Sequence, residues 1–288
     1  MYYVNVILYL LEVLKPKIIL GNLLSLYGGY GVAARGHIYS KLLFLDSLSL
    51  FLIVGSACVL NNVIDCDIDK IMLRTQCRLL VKYNKFCKLA ILIAMFMLFL
   101  GLILCVKFIN VVCFCLFLLG WLTYIFLYSF FLKKTSAIST IVGSISGSLP
   151  PIVGYCSVTN NFDFCSLNLL IMFALWQIPH SYAICILHFR DYKIANIPVF
   201  PVIYGFKITR YHIILHIILF FISVIVLTFI NSINYKFLII SFFLCLTWLY
   251  YSLLELTIKN SKLWAKNIFR WSIIVIFLLN IIMLFGFV

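Results

Sequence analysis

Apolar runs of about twenty residues recur along the whole of this 288-residue chain, and they leave it little choice of fold. An α-helix of that length, rising ~1.5 Å per residue, crosses the ~30 Å hydrocarbon core of a bilayer. Hydrophobic residues make up 65% of the chain and charged residues 10%, with a mean hydropathy of +1.18. A water-soluble core needs far less apolar surface. The expected fold class is therefore all-α: a polytopic membrane protein, one domain over residues 1–288. Nine transmembrane helices are expected at about 18–34, 42–62, 88–106, 111–131, 138–158, 166–187, 211–230, 236–256 and 269–287.

The basic residues test that count, because Lys and Arg collect on the cytoplasmic side of a membrane protein. With the N-terminus inside, 18 of the 22 Lys and Arg fall on the inner side, Lys259 among them; only Arg35, Lys41, Lys107 and Lys236 fall outside. An odd number of spans puts the C-terminus outside. The net charge of +14 follows from this topology and from attraction to anionic lipid, so nucleic acid is not implied. The first span begins early, with neither a signal-peptide cleavage site nor a transit peptide, and a bacterial inner membrane is expected. Eleven scattered cysteines without a CxxC pair read as small apolar filler.

Two inner loops, 63–87 and 188–210, are long, and long loops carry function. The first holds three of only eight acidic residues: Asp65, Asp67 and Asp69. On a helix Asn61, Asp65 and Asp69 share one face at i, i+4 and i+8, spread over roughly 12 Å, while Asp67 points largely away. Carboxylates that far apart cannot easily share one ion, but each can hold a hard cation such as Mg²⁺ and leave coordination sites for phosphate oxygens between them. Arg74 and Arg78 follow, with planar donors suited to the same phosphates. The alternative is a charged cap on a solvated helix end, which the scarcity of charge disfavours.

The second segment is WQIPHSYAICILHFRDYKIANIPVFP, residues 176–201. Trp176 and His180 share a helix face, Pro179 between them is expected to kink the helix, and Pro198 and Pro201 are expected to stop it. His180 is either an intramembrane functional group or an interfacial histidine bonded to a neighbouring helix. His212 and His216, at i and i+4, lack a third partner for a metal or haem. A third segment, YSFFLKK at 128–134, precedes GSISGSLPP at 143–151, whose Gly143 and Gly147 have the spacing of closely packed membrane helices. Lys133 reads as a positive-inside anchor. An acidic face, several cations, aromatic walls and a lipid-facing cavity together suit a prenyl diphosphate.

The stretches NNVIDCDIDKIMLRTQCR, YSFFLKK, GSISGSLPPIVGYC and WQIPHSYA…FRDYKIANIPVFPV, in this order from KPKIILGN onward, closely resemble the protohaem IX farnesyltransferases, or haem O synthases, of the UbiA-type intramembrane prenyltransferases. The resemblance implies a nine-helix UbiA-type bundle that transfers farnesyl from farnesyl diphosphate to a vinyl group of haem B, giving haem O and diphosphate. It implies catalytic roles for Asn61, Asp65, Asp69 and His180, with Mg²⁺ on Asp65 and Asp69. It places substrate binding on Arg74, Arg78, Lys134, Trp176, Gln177, Arg190, Asp191, Tyr192 and Lys193. His180 is left to hold the haem, through iron or a propionate, or to manage a proton. The implied partners are farnesyl diphosphate, haem B, the lipid bilayer and a terminal haem-copper oxidase. A second DxxxD, common in other UbiA-type enzymes, is absent: Asp191 is followed at i+4 by Ala195. This favours haem over an aromatic quinone precursor. A transporter or assembly factor is the rival from another class, against which stand the lack of an inverted repeat and the gathering of charge on one side.

Overall fold

A computed structural model describes residues 12–231, 235–254 and 261–285. Lys259, residues 255–256 of the eighth expected span and 286–287 of the ninth lie outside the described residues. The described residues form helices and short connections. We label them α1 (Pro16–Ala34), α2 (Ser40–Ile64), α3 (Cys66–Ile71), α4 (Leu79–Lys82), α5 (Cys87–Phe108), α6 (Val111–Leu122), α7 (Ser139–Gly147), α8 (Leu149–Thr159), α9 (Phe164–Leu187), α10 (Phe189–Ile194), α11 (Phe200–Asn231), α12 (Tyr235–Leu253) and α13 (Ser261–Phe285). Helix α6 continues as a π-helix over Thr123–Leu132 and closes with Lys133–Thr135. Eight helical stretches are long and apolar enough to span a bilayer, and α1, with nineteen residues, makes a ninth long helix among the described residues.

Prolines and glycines account for the departures from the expected spans. The fifth span is two helices, α7 and α8, parted at Ser148. Pro150 and Pro151 sit in the first turn of α8, where the missing N–H groups cost nothing but would break a helix arriving from α7. Loop 188–210 is shorter than expected, because α10 occupies part of it and α11 starts at Phe200. Pro201 begins that helix, and the turn that follows is interrupted at Gly205 (φ 75°). With no proline or glycine involved, α13 already runs from Ser261, eight residues before the expected boundary, and α9 runs as one helix through Pro179.

Small residues set the packing. In α5, Ala90, Ala94, Leu98, Gly101 and Cys105 are buried at helical spacing, while Leu92, Phe96 and Phe99 are exposed, as a lipid-facing side requires. The tightest junction is α1 on α8. A Cβ on Gly29 would lie 1.8 Å from the Pro151 carbonyl oxygen, and one on Gly154 2.0 Å from that of Leu26. Eight of the eleven cysteines are buried and all eleven are free thiols.

Candidate active site

The acidic face forms where α2 hands over to α3. Asp65 ends α2, yet its N–H donates to the Asn61 carbonyl (2.9 Å) and its own carbonyl accepts from the Asp69 N–H (2.8 Å). The helical register thus passes through the break, and Asn61, Asp65 and Asp69 stay in line, all buried. Asp67 lies on the other side, exposed and paired with Lys70 at 2.9 Å. Lys70, and secondarily Lys134, hold the Asp67 carboxyl below the usual carboxylate range.

Each member of the line meets a different element. Lys15, just before α1, donates to Asn61 Oδ1 at 2.6 Å, and Asn61 Nδ2 donates to Ser129 Oγ at 3.1 Å. Lys133 Nζ pairs with Asp65 Oδ2. Arg78 pairs with Asp69 Oδ2 at 2.5 Å, and the Thr75 hydroxyl holds the Asp69 carbonyl. These groups surround a cavity of about 190 Å³ whose remaining walls include Ile18, Arg74, Tyr124, Tyr128 and Tyr192. Four cations, Lys15, Arg74, Arg78 and Lys133, face two carboxylates, Asp65 and Asp69. The surplus positive charge invites an anion. Burial lowers the Lys15 pKa to about 8, with the Arg78 charge acting in the same direction.

Lys133 reaches this cavity because of the π-helix. At about 100° per residue an α-helix would set Lys133 on the opposite side from Tyr124. The wider i→i+5 winding turns less per residue, so Tyr124, Tyr128 and Lys133 all face inward. At its start the Thr123 hydroxyl donates to the carbonyls of Leu119 (2.8 Å) and Gly120 (3.0 Å). Tyr124 and Tyr128 stack at 5.6 Å, and the bare Cα of Gly143 leaves room for the Tyr128 ring. Lys134 is exposed and does not line the cavity, so the cation expected there is supplied by its neighbour.

Of the second segment, Tyr192 lines the cavity. Asp191 is half-buried beside it in sequence, and Arg190 and Lys193 are exposed. Trp176 and His180 form a separate cluster against α13: Trp176 Nε1 donates to the Ser272 carbonyl (2.8 Å), and His180 Nδ1 lies 2.8 Å from Ser272 Oγ. The imidazole lies 5.0 Å from the Trp176 ring on one side and 5.0 Å from Phe269 on the other. Gln177 packs its amide where Gly147 lacks a Cβ. His216 Nδ1 is turned to the His212 carbonyl, and among the described residues no three His, Cys, Asp or Glu side chains converge on a metal position. A divalent ion at Asp65 or at Asp69 would therefore draw its remaining ligands from the bound molecule's own oxygens.

These features define a multi-pass helical membrane protein with a polar, cation-rich cavity at one end of its bundle. The chain belongs to the UbiA prenyltransferase family, whose sequence profile matches residues 22–274. It is 42% identical to the protoheme IX farnesyltransferase of Yersinia pseudotuberculosis over 273 residues, 95% of this chain and 92% of that protein. Its fold is that of a digeranylgeranylglyceryl phosphate synthase (TM-score 0.80, 18% identity, 98% of each chain). It is also that of a UbiA homologue from Archaeoglobus fulgidus bound to GPP and Mg²⁺ (TM-score 0.67, 16% identity, 96% of this chain and 99% of that one).

Proposed function

We infer that this chain transfers a farnesyl group from farnesyl diphosphate to a vinyl group of haem B, releasing diphosphate and giving haem O. The observation that carries the donor half is the cavity itself: two buried carboxylates in line, set against four cations. The acceptor rests on the likeness to a protoheme IX farnesyltransferase and on Ala195 standing where a second DxxxD would end.

The residues fit a divalent cation. Asp65 Oδ1 is buried without a hydrogen-bond partner, an expensive arrangement unless a cation takes it. Asp65 and Asp69 would hold Mg²⁺, with Asn61 beside them, and the ion would supply Lewis-acid stabilisation of charge on the diphosphate. Arg78 and Lys133, paired with those carboxylates, are within reach of the same anion. Arg74 and Lys15 complete the cationic wall, and a bound anion favours the charged form of Lys15 that burial disfavours. As the C1–O bond breaks, these donors neutralise the leaving group. The allylic carbon then bonds the terminal vinyl carbon, and water adds at the other vinyl carbon with loss of a proton, leaving the hydroxyl of the product. Tyr124, Tyr128 and Tyr192 wall the same cavity and would shield the ionising carbon from water.

The chain acts as a single domain in a bacterial inner membrane, N-terminus in the cytoplasm and C-terminus in the periplasm, and its product goes to a terminal haem-copper oxidase either directly or after conversion to haem A. Purified chain given farnesyl diphosphate, Mg²⁺ and either protohaem or 4-hydroxybenzoate should yield haem O by mass spectrometry and no prenylated benzoate. The reverse product pattern would sink the haem assignment.

The two neighbouring lysines make a sharp contrast. Lys133→Met should lower kcat/KM by about a hundredfold, since one charged donor at the leaving group is lost and Asp65 is left unpaired. Lys134→Met should stay within about twofold of native, as exposed substitutions do. Steady-state rates on the two variants check both.

A further inference from the structure

Lys15 reaches the diphosphate cavity from a backbone that its own chemistry disfavours. It lies in the left-handed region (φ 54°, ψ 64°), where a side chain crowds the following carbonyl, and it precedes Pro16, whose ring favours an extended backbone in the residue before it. A relaxed Lys15 would open toward that extended region and redirect its side chain. Contacts on both sides hold it instead. Toward α1, its carbonyl accepts from the N–H groups of Ile18 (2.9 Å) and Ile19 (3.4 Å). On the other side the chain is fastened to α2. There Asn62 Nδ2 donates to the Val13 carbonyl at 2.8 Å, and Leu14 lies against Gly55, seven residues before Asn62 and so on nearly the same face. Two adjacent asparagines thus act on Lys15 at different points. Asn61 Oδ1 accepts from its ammonium at 2.6 Å, and Asn62 ties the backbone two residues before it. Asn62 is buried, and its Oδ1 has no hydrogen-bond partner among the described residues. As packing, an amide with an orphaned acceptor is worse than an apolar side chain of equal size, so the bond to Val13 is what this side chain contributes.

We propose that Asn62 is a positioning residue for the diphosphate: by fixing the Val13 carbonyl it keeps Lys15 in its left-handed conformation, with the ammonium at the cavity wall. This rests on the prenyl-transfer function inferred above. Asn62 does not itself line that cavity, so its effect on the anion passes through Lys15. A lysine has a long, flexible stem, and ordering it only when the anion arrives would be charged against binding. With the backbone fastened at Val13 and the ammonium already on Asn61, that cost falls on the folding of the chain and not on the capture of farnesyl diphosphate.

The test is a double-mutant cycle on full-length chain in nanodiscs, with farnesyl diphosphate, Mg²⁺ and protohaem as substrates. Asn62→Leu keeps the volume, removes the donor and leaves no orphaned acceptor. It should raise the KM for farnesyl diphosphate about tenfold while the KM for protohaem stays within about twofold, which also shows that the variant is folded. Asn62→Ala should give the same split, so that the effect does not depend on the shape of leucine. Placed in a Lys15→Met chain, Asn62→Leu should raise the KM for farnesyl diphosphate by less than about twofold more, because no ammonium is left to position. A further tenfold rise in that background would overturn the proposal. The effect would then run through Asp69 and Arg78, which share a small gap with Asn62, Glu12 and Val13. A lower unfolding temperature with an unchanged KM would overturn it too, since Asn62 would then serve packing alone. If native chain transfers farnesyl and both Asn62 variants match it, the Asn62 assignment fails by itself; if native chain transfers none, the function inferred above fails and takes the assignment with it.

Discussion

Asp65→Ala should abolish haem O formation, with turnover at saturating substrates falling by about a thousandfold or more. The side chain has two jobs. Oδ2 neutralises the partly buried Lys133, and Oδ1 is buried without a hydrogen-bond partner. Removing it deletes a metal ligand and leaves an ammonium group unpaired. The second loss also costs stability, on the order of 3 kcal/mol for a buried pair, less here because Lys133 retains some exposure. Asp65→Asn separates the two effects: it keeps the shape and a hydrogen-bond acceptor for Lys133 but is a far weaker Mg²⁺ ligand. It should therefore accumulate and melt close to native while remaining nearly inactive. Rates on both variants, alongside thermal unfolding in detergent, check this.

Gly154→Val should prevent the bundle from assembling. Its Cβ would fall 2.0 Å from the Leu26 carbonyl oxygen and 2.9 Å from the Tyr30 nitrogen, both backbone atoms that no rotamer change can move. Helices α1 and α8 would have to separate, pulling Leu26, Tyr30 and Ile152 out of the core, at a cost above about 3 kcal/mol. Because α1 carries Lys15 at its start, activity goes with the fold. Gly21→Ala, on the same helix with nothing within 4 Å of its Cβ, should be neutral to within about 0.5 kcal/mol. Yield of membrane-inserted protein and unfolding temperature separate the two.

The helical membrane architecture was legible because a bilayer imposes length and apolarity so strictly that composition reads almost directly as spans. The acidic line was legible for a related reason: Asn61, Asp65 and Asp69 keep α-helical spacing across the α2–α3 junction, so a regular helix gave the correct face. Lys133 was not. Its placement depends on a π-helix, and the side-chain periodicity used to read helices assumes α winding. Lys15 carries no local signal of its role, because its partner Asn61 is 46 residues away and only tertiary packing brings them together. Helix α11 starts at Phe200 and not at 211 because Pro201, expected to stop a helix, sits instead in the first turn of one, where its missing N–H costs nothing. The separation of Trp176 and His180 from the residues lining the diphosphate cavity, and their bond to Ser272 of α13, belongs likewise to packing between helices nearly a hundred residues apart.

The most direct measurement is product analysis by chromatography and mass spectrometry on membranes of a haem-O-deficient bacterium expressing this chain beside its Asp65→Ala variant. The account predicts haem O with the native chain and none with the variant, at equal amounts of inserted protein. Abundant, inserted native protein that leaves haem B unmodified would contradict it.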